Sequence, residues 1–474
     1  MNTSQPASRR RFLQQSGGAL LGGLAWMGSG ARLQAATGGK TTTPADPTEF
    51  LGRIHDPVIR AGVEAAVRKN LLAAATERVY PGHFTINADG GGFGADTTWP
   101  GLDSWQMTGA YLQLGRARMV LDYFEFVRAS QRKDGNIPFA IFNGDTRPGG
   151  CLRGLRYPDD LFTYRPPARP ELPVSSQATR TWIGLFEHWQ TQGFPLSTLG
   201  PVCYLLTAAE IFAHTGDRAW LKDHLDSLEA AAAHVLSLTK PNGLIGGSGF
   251  YMEAPPREDC DGVTQCYVVF AWRGLARLCA AVGQRSREQR WNHEADRLAA
   301  RFREVLWRED HFAEYVHPQR GVIDSHGLSD VNWAAIAFGL VSGRDRRRVW
   351  SRVEADPGFR VGGMPTQTVT RPFAYEPWES LPSSDCGVSA FNDVAAMGRV
   401  WYLEALACQR MNARARLVES VRQVCQAASP DGYWRERYHP KRDGTVSADG
   451  SLKYCEYAAV LVRVVLGNLR WFTN

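Results

Sequence analysis

The spacing of breaks between helical stretches constrains this chain more than any single motif. Apolar residues recur with helical periodicity over about twelve stretches: 57–76, 105–130, 177–190, 198–214, 217–238, 262–282, 286–307, the buried-looking run 332–339, 345–354, 389–411, 413–428 and 454–469. In the first, Val58, Val63, Ala66, Leu71 and Leu72 share one face. The connections alternate roughly between short and long. Short turns fold neighbouring helices into antiparallel hairpins and leave the long connections gathered at one end. No short-period repeat recurs, which speaks against an open solenoid. The pattern predicts an all-α fold, a closed (α/α)6 toroid of six hairpins. Its long loops build a funnel at one face, and acids placed just before inner helices point into it. Few stretches read as strands.

Length and composition agree. The chain has 474 residues, 44% hydrophobic and 22% charged, enough for one large core. Closed toroids run long as one unit, so 51–474 is read as a single catalytic domain. The 15 Trp, 15 Tyr and 21 Phe favour an aromatic-lined cleft.

Residues 1–36 carry an address. Ser8-Arg9-Arg10-Arg11-Phe12-Leu13 precedes an apolar, glycine-rich run from Gly17 to Met27, and small residues at Ala35 and Ala36 offer a cleavage site. This resembles a twin-arginine-type export signal, with a retained N-terminal anchor as the plain alternative; the signal implies the twin-arginine machinery as a partner and a periplasmic or secreted product. The apolar run is short for a membrane span, and no later stretch is long and apolar enough, so no stable span is expected after cleavage. Residues 37–50, rich in Thr, Gly and Pro, read as a linker. Arg9, Arg10, Arg11 and Arg32 precede the cut and no acid does, so the net charge falls from +6 to +2 (6 − 4). A mature chain near neutrality has no electrostatic basis for binding nucleic acid.

The nine cysteines form no CxxC pair and mostly sit in apolar helical stretches, where a thiol acts as a small hydrophobe. Cys260 and Cys386 fall in loop-like stretches. Nothing has zinc-ligand spacing, and His317 and His326 stand too isolated to argue for a metal. Gly90, Gly91 and Gly92 are followed by no P-loop lysine and serine, and no GxSxG occurs. No cofactor or metal is expected.

Three constellations could carry chemistry. The first is Trp99-Pro100-Gly101-Leu102-Asp103-Ser104-Trp105, before a long apolar helix. Asp103 or Ser104 caps that helix, or Asp103 accepts from sugar hydroxyls while Trp99 or Trp105 stacks on the ring; both can hold together. The second is the acidic run from Glu253 through Arg257, Glu258, Asp259 and Asp261, beside the apolar helix that starts at Gly262. Crowded, partly buried carboxylates raise one another's pKa, as a general acid near neutrality requires. The plain alternative is a solvated turn with Asp261 as helix cap. Position favours Asp261 as the acid, with Asp259 and Glu253 as fallbacks. The third is Gly432-Tyr433-Trp434-Arg435-Glu436-Arg437-Tyr438-His439-Pro440, where a carboxylate sits among rings and arginines. Aromatic rings cover the apolar faces of sugars, and a carboxylate handles hydroxyls or water. The plain alternative is a surface loop pinned by Trp434 and Tyr438. Asp261 and Glu436 together form the kind of pair that glycoside hydrolysis uses. Weaker candidates are Asp324, His326 and Asp330 as a site wall, and Glu376 and Glu379, beside Tyr375 and Trp378, as a sugar-contacting loop. Asp159 and Asp160 read as surface residues.

These motifs resemble those of the six-hairpin glycosidases, and are most similar to those of the trehalases and processing α-glucosidases. The resemblance spans most of 50–470 in helix pattern and three short motifs in detail. It implies sugar binding by the segment around Asp103, Asp261 as general acid, Glu436 as general base, and hydrolysis with inversion. The Gly-Leu before Asp103 and the lack of a glycine-rich C-terminal signature depart from trehalase. The expected function is therefore an exported, exo-acting, inverting glycoside hydrolase acting on an oligosaccharide. Asp261 and Glu436 would be catalytic, and Trp99, Asp103, Trp105, Glu253, Asp259, Trp378, Glu379 and Trp434 would bind substrate. Two rivals remain: a polysaccharide lyase using Tyr315, His326 and Arg371, and a non-catalytic carbohydrate-binding protein using Trp99, Trp105 and Trp434.

Overall fold

A computed structural model describes residues 49–75, 97–101, 104–143, 162–164, 182–186, 198–247, 257, 259–379, 394–441 and 443–473. The export segment 1–36, most of the linker, Gly90 to Gly92, Asp103, Cys151, Asp159, Asp160, Glu253, Glu258 and Cys386 lie outside the described residues.

Twelve long helical elements occur among the described residues. Helix α1 (Pro57–Ala65) continues through a π-helical stretch, Ala66–Leu71, into Leu72–Ala74. The others are α2 (Ser104–Gln113), α3 (Ala117–Arg128), α4 (Leu199–Thr215), α5 (Arg218–Ser237), α6 (Gly262–Ala281), α7 (Arg285–Leu306), α8 (Val331–Ala337), α9 (Gly343–Ala355), α10 (Gly398–Met411), α11 (Arg414–Gln426) and α12 (Cys455–Gly467). The even-numbered helices pack in an unbroken circle: α2 on α4, α4 on α6, α6 on α8, α8 on α10, α10 on α12, and α12 on α2. The odd-numbered helices form an outer layer. The sixth hairpin joins the two ends of the chain, since α1 packs on α11 and α12. Gly62 of α1 lies so close to Cys425 of α11 that a methyl group there would overlap the thiol.

Side-chain patterns account for the two layers. Inner helices are buried nearly all round: in α2 every residue from Ser104 to Leu112 is buried. Outer helices have one apolar stripe. In α7 the buried residues are Trp291, Ala295, Leu298, Phe302 and Leu306, at helical spacing, amid charged residues. Each inner helix passes to its outer partner through a short turn: 114–116, 216–217, 282–284, 338–342 and 412–413. Gly216 (φ 65°) and Asn412 (φ 55°) supply the left-handed residues that end α4 and α10. The long connections 75–103, 129–198, 238–261, 307–330, 356–397 and 427–454 lead back to the N-termini of inner helices, so all six return to one face. The strands belong to these connections. They are β1 (Thr97–Thr98), β2 (Ala140–Asn143), β3 (Phe162–Tyr164), β4 (Trp182–Leu185), β5 (Cys260–Asp261), β6 (Tyr315–His317), β7 (Gly321–Ile323), β8 (Arg360–Val361), β9 (Met364–Pro365), β10 (Arg435–Pro440) and β11 (Val446–Leu452). They form small antiparallel sheets, ordered β1-β2-β4-β3, β5-β6-β7, β8-β9 and β10-β11.

Three expected helices differ. The stretch 105–130 is a hairpin of two helices. Gly115 takes φ 74°, and the Arg116 amide donates to Tyr111 O at 2.9 Å, which ends α2. Within 177–190 the described residues 182–185 form a strand. Pairing with β2 and β3 satisfies their backbone groups on both edges and overrides the helical pattern. The helix expected from 389 begins at Gly398, and Ala396 ahead of it bridges Gln367 and Tyr438 in extended form. The seven described cysteines are buried, and burial pushes the Cys260 thiol up to about 12. No helix among the described residues is long and apolar enough to cross a membrane.

One charged group ties the inner ring across its centre. Arg463 of α12 is buried, donates to Trp105 O of α2 at 2.9 Å, and pairs with Glu210 of α4, which also accepts from Trp105 Nε1 at 3.0 Å. Its guanidinium lies over the rings of Trp105 and Tyr402. Gly109 gives it room, since a methyl group there would overlap the guanidinium. Gly109→Ala is therefore expected to lower stability by about 1–3 kcal/mol, the cost of overfilling a packed interior. Urea unfolding midpoints against wild type check this; an unchanged midpoint would show that the arginine simply swings aside.

Candidate active site at the long-loop face

The face where the inner helices begin holds Asp261, Asp330 and Glu436 among the acidic residues that the sequence singled out. Helix α6 starts at Asp261 because its carboxylate satisfies an otherwise unpaired amide: Oδ2 accepts from Thr264 N at 2.6 Å and Thr264 Oγ1 at 2.8 Å. Its other oxygen, Oδ1, accepts from Arg257 Nη1 at 3.1 Å. Asp261 has no exposed surface.

Arg257 is the centre of a larger buried group. Its Nη1 also reaches Asp330 Oδ1 at 2.9 Å, and its Nε reaches Glu314 Oε1 at 2.8 Å. Glu314 Oε2 then meets His326 Nδ1 at 2.7 Å. His326 Nε2 lies 2.9 Å from Glu379 Oε1, and Tyr315 donates to the same oxygen at 3.2 Å. Tyr375 stacks on the His326 ring, with centroids 3.9 Å apart. Four buried carboxylates thus share one guanidinium and one imidazole. Burial alone would lower the His326 pKa, but Glu314 and Glu379, one on each ring nitrogen, raise it to about 10. Burial, aided by the neighbouring Asp261 and Glu314, pushes the Asp330 carboxyl up to about 6 against the pull of Arg257. Burial opposes the charge on Glu314 as well, yet Arg257 and His326 hold it below the usual carboxylate value. This group clamps together the start of α6, the start of α8, the β6–β7 hairpin and the segment that ends at Glu379.

Glu436 lies in β10, on the hairpin that leads into α12. Pairing runs from Arg435 opposite Leu452 to Arg437 opposite Asp449, so β11 carries one extra residue across from Glu436. Gly450 (φ 76°) supplies that bulge, and a methyl group on it would overlap the Glu436 side chain. The glycine thus gives the carboxylate its space. Arg437 Nη2 lies 3.3 Å from Glu436 Oε2, and the side chain keeps 14% of its surface exposed. The hairpin is rooted on either side of Glu436. Trp434 is fully buried and donates to Val424 O at 2.9 Å, while Tyr438 packs edge-on against Tyr457 of α12.

The remaining expected site residues divide. Trp105 is buried at the ring centre, Trp99 is buried edge-on against Phe139, and Trp434 is core, so none of these three rings offers the exposed face for sugar stacking that the sequence suggested. The non-catalytic binding alternative named the same three rings. Asp259 is partly exposed and pairs with Lys240 at 2.9 Å. Trp378 is partly exposed, edge-on to His317 and covered by Arg320 at 4.4 Å. Glu379 belongs to the buried clamp, and Glu376 is exposed beside it. His326, held protonated between two carboxylates, is unsuited to the base role that a lyase asks of it, and Tyr315 is buried with its hydroxyl committed to Glu379. Asp324 lies outside the clamp, bonded to His311 at 3.1 Å. Sequence reasoning passed over Arg257, Glu314 and Gly450. An arginine inside an acidic run was the available signal for the first. The glycine opposite Glu436 could be found only once the strands were paired.

No protein-family model and no curated protein matches the sequence. Solved structures match it by shape. A GH78 family rhamnosidase of Bacillus sp. GL1 superposes with a TM-score of 0.57 at 14% identity, over 86% of this chain and 35% of that one. The GH63 mannosylglycerate hydrolase from Thermus thermophilus, in complex with glucose, gives 0.55 at 13% identity, over 86% of this chain and 99% of that one. A bacterial glucoamylase complexed with acarbose gives 0.55 at 11% identity, over 89% and 56%. The chain spans about a third of the rhamnosidase and nearly all of the mannosylglycerate hydrolase. The shared feature is the fold, the six-hairpin (α/α)6 toroid expected from the sequence.

The clamp has a pH signature. A histidine whose pKa rises from 6.5 to about 10 on folding contributes stability that is complete below pH 6.5 and lost as pH rises through 10. His326→Gln should therefore destabilise the protein by about 3–5 kcal/mol near pH 6, the usual cost of breaking a buried ion pair. The gap to wild type should narrow steadily towards pH 10. Paired denaturant titrations across that range test it, and a gap independent of pH would show that His326 acts without its charge.

Proposed function

We propose that this chain is a glycoside hydrolase that cleaves an oligosaccharide from its end with inversion at the anomeric carbon. Glu436 is the general base. The observation that carries this reading is the seat of Glu436: a partly exposed carboxylate opposite a glycine bulge, on the hairpin feeding an inner helix, at the face where all the long loops gather. The shared toroid supports it, since the rhamnosidase, the mannosylglycerate hydrolase and the glucoamylase are all named as carbohydrate-cleaving enzymes.

In an inverting reaction two carboxyl groups stand about 6.5–9.5 Å apart to leave room for water. Glu436 takes a proton from that water as its oxygen bonds to the anomeric carbon. The acid delivers its proton to the glycosidic oxygen as the bond to the leaving group breaks. Asp261 has the position for the acid but spends its carboxylate on the helix cap and Arg257. Asp259 is paired with Lys240. Of the three acids considered, this leaves Glu253, which lies outside the described residues. We therefore assign the proton donor to Glu253 and a positioning role to Asp261. The product of the gene is proposed to leave the cytoplasm folded, through the twin-arginine route; replacing Arg10 and Arg11 together by lysine should hold it inside, as cell fractionation would show.

The assignments separate in one experiment. A screen of aryl glycosides and oligosaccharides, read by chromatography, supplies a substrate. On it, Glu436→Gln and Glu253→Gln should each lower kcat by about 10²–10⁴-fold, the usual contribution of a general base or acid, with unchanged unfolding midpoints. Asp261→Asn should lower the midpoint, because it weakens a buried pair. Normal turnover by Glu436→Gln would remove the base assignment. Unaltered turnover by Glu253→Gln together with an inactive, fully stable Asp261→Asn would return the acid role to Asp261.

A further inference from the structure

The opposite face of the ring, where short turns join inner to outer helices, has its own charge pattern. Arg273 and Arg277 lie in the second half of α6, Arg346 in the first turn of α9, and Arg410 at the end of α10. Helices α6, α8 and α10 are neighbours in the ring, and α9 follows α8 through the turn 338–342, so these four side chains come from adjoining elements. Arg410 anchors the group: its Nε donates to Ala337 O at 2.6 Å at the end of α8, and its guanidinium lies against Gly339. Gly339 takes φ 74°, and a methyl group there would sit 3.2 Å from three guanidinium atoms.

One nearby acid answers Arg273 and another is held outside the group. Asp296 pairs with Arg273 at 3.0 Å, and Asp345 pairs with Arg303 at 2.7 Å. Among the described residues Arg277, Arg346 and Arg410 have no carboxylate partner, and the buried Nε of Arg346 has no acceptor. Partial burial, with Arg273 and Arg410 close by, holds Arg277 below the ordinary arginine value; Arg410 is exposed, with Arg346 and Arg273 as its charged neighbours. The carbonyl ends of the inner helices offset part of this repulsion. They leave the buried Nε of Arg346 without an acceptor, and an unmade bond to a buried charged group is expensive.

We infer that Arg277, Arg346 and Arg410 form a binding site for a phosphate-type oxoanion on the short-turn face, remote from the proposed catalytic mouth. Guanidinium forks match tetrahedral oxoanions with paired, charge-assisted hydrogen bonds, and such an anion answers both the repulsion and the orphaned donor. The anion could be free phosphate or the phosphate of a lipid headgroup. The site is independent of the glycosidase reading, so either can fail alone.

Titration calorimetry of the full chain with inorganic phosphate, against chloride at matched ionic strength, tests the site. Sedimentation with phosphatidylglycerol vesicles, against phosphatidylcholine, tests the second source. Wild type should bind at least one of the two probes. Arg346→Gln and Arg277→Gln should each weaken that binding about tenfold or more, as expected for a lost charged hydrogen bond, while Arg344→Gln, exposed on the same helix, should leave it unchanged. Binding of phosphate alone identifies a free ion; binding of anionic vesicles alone identifies a headgroup. If Arg277→Gln melts earlier in chloride, Arg346→Gln carries the comparison. A wild type that takes up neither probe, or variants that bind as well as wild type, overturn the site.

Discussion

Six inner helices enter the ring from the same side, and this shared polarity governs how charge is laid out over the molecule. Each begins with amides that have no partner inside the helix, and each carries partial positive charge at that end. Carboxylates are stabilised where several such ends converge. Asp261 caps α6, Asp330 directly precedes α8, and Glu456 in the first turn of α12 accepts the Arg399 amide of α10 at 2.7 Å. Acids there are thus a consequence of architecture before they are a sign of chemistry. Position at an inner helix start cannot by itself mark a catalytic residue, since the same position is what a cap requires.

Exposure distinguishes these acids, although each has a charged partner. Asp261 and Glu379 are held by donors and buried; Glu436 is partly exposed, in a space kept open by a glycine across the strand pair. The buried clamp around Arg257 has a structural role of its own. It joins Arg257, Asp261, Glu314, His326, Asp330 and Glu379, which come from separate connections of the ring. Four carboxylates against one arginine and one protonated histidine leave excess negative charge in a dry region, which is why Asp330 retains its proton to about pH 6.

The ring was legible in the sequence because it rests on pattern: helical periodicity and the alternation of short and long connections. Among the described residues the helix count matches the expected twelve through two opposite differences. Gly115 divides one expected helix into two, and strand pairing at Trp182–Leu185 removes another. The first was readable, since a glycine after an apolar run is a common helix ending. The second was not, because the β2 and β3 partners lie in distant loops. The site was legible only at single residues. Glu436 stood out by its arginine and aromatic neighbours, yet those aromatics root the hairpin in the core: Trp434 beneath α11 and Tyr438 against α12. Rings near a carboxylate in sequence say little about which way they face, because strand side chains alternate and a bulge resets the alternation.

The same polarity implies a complementary charge at the other end. Helix C-termini present unpaired carbonyls, and arginines suit them as carboxylates suit the N-termini. Arg410 fills this role directly at Ala337 O. One arginine per carbonyl end would be ordinary capping. Arg277 and Arg346 go further, since neither finds a carbonyl or a carboxylate among the described residues and both crowd the first. Capping explains a cation at each helix end; it does not explain cations that raise one another's cost. That surplus distinguishes a surface prepared for an anion from one that only closes its helices.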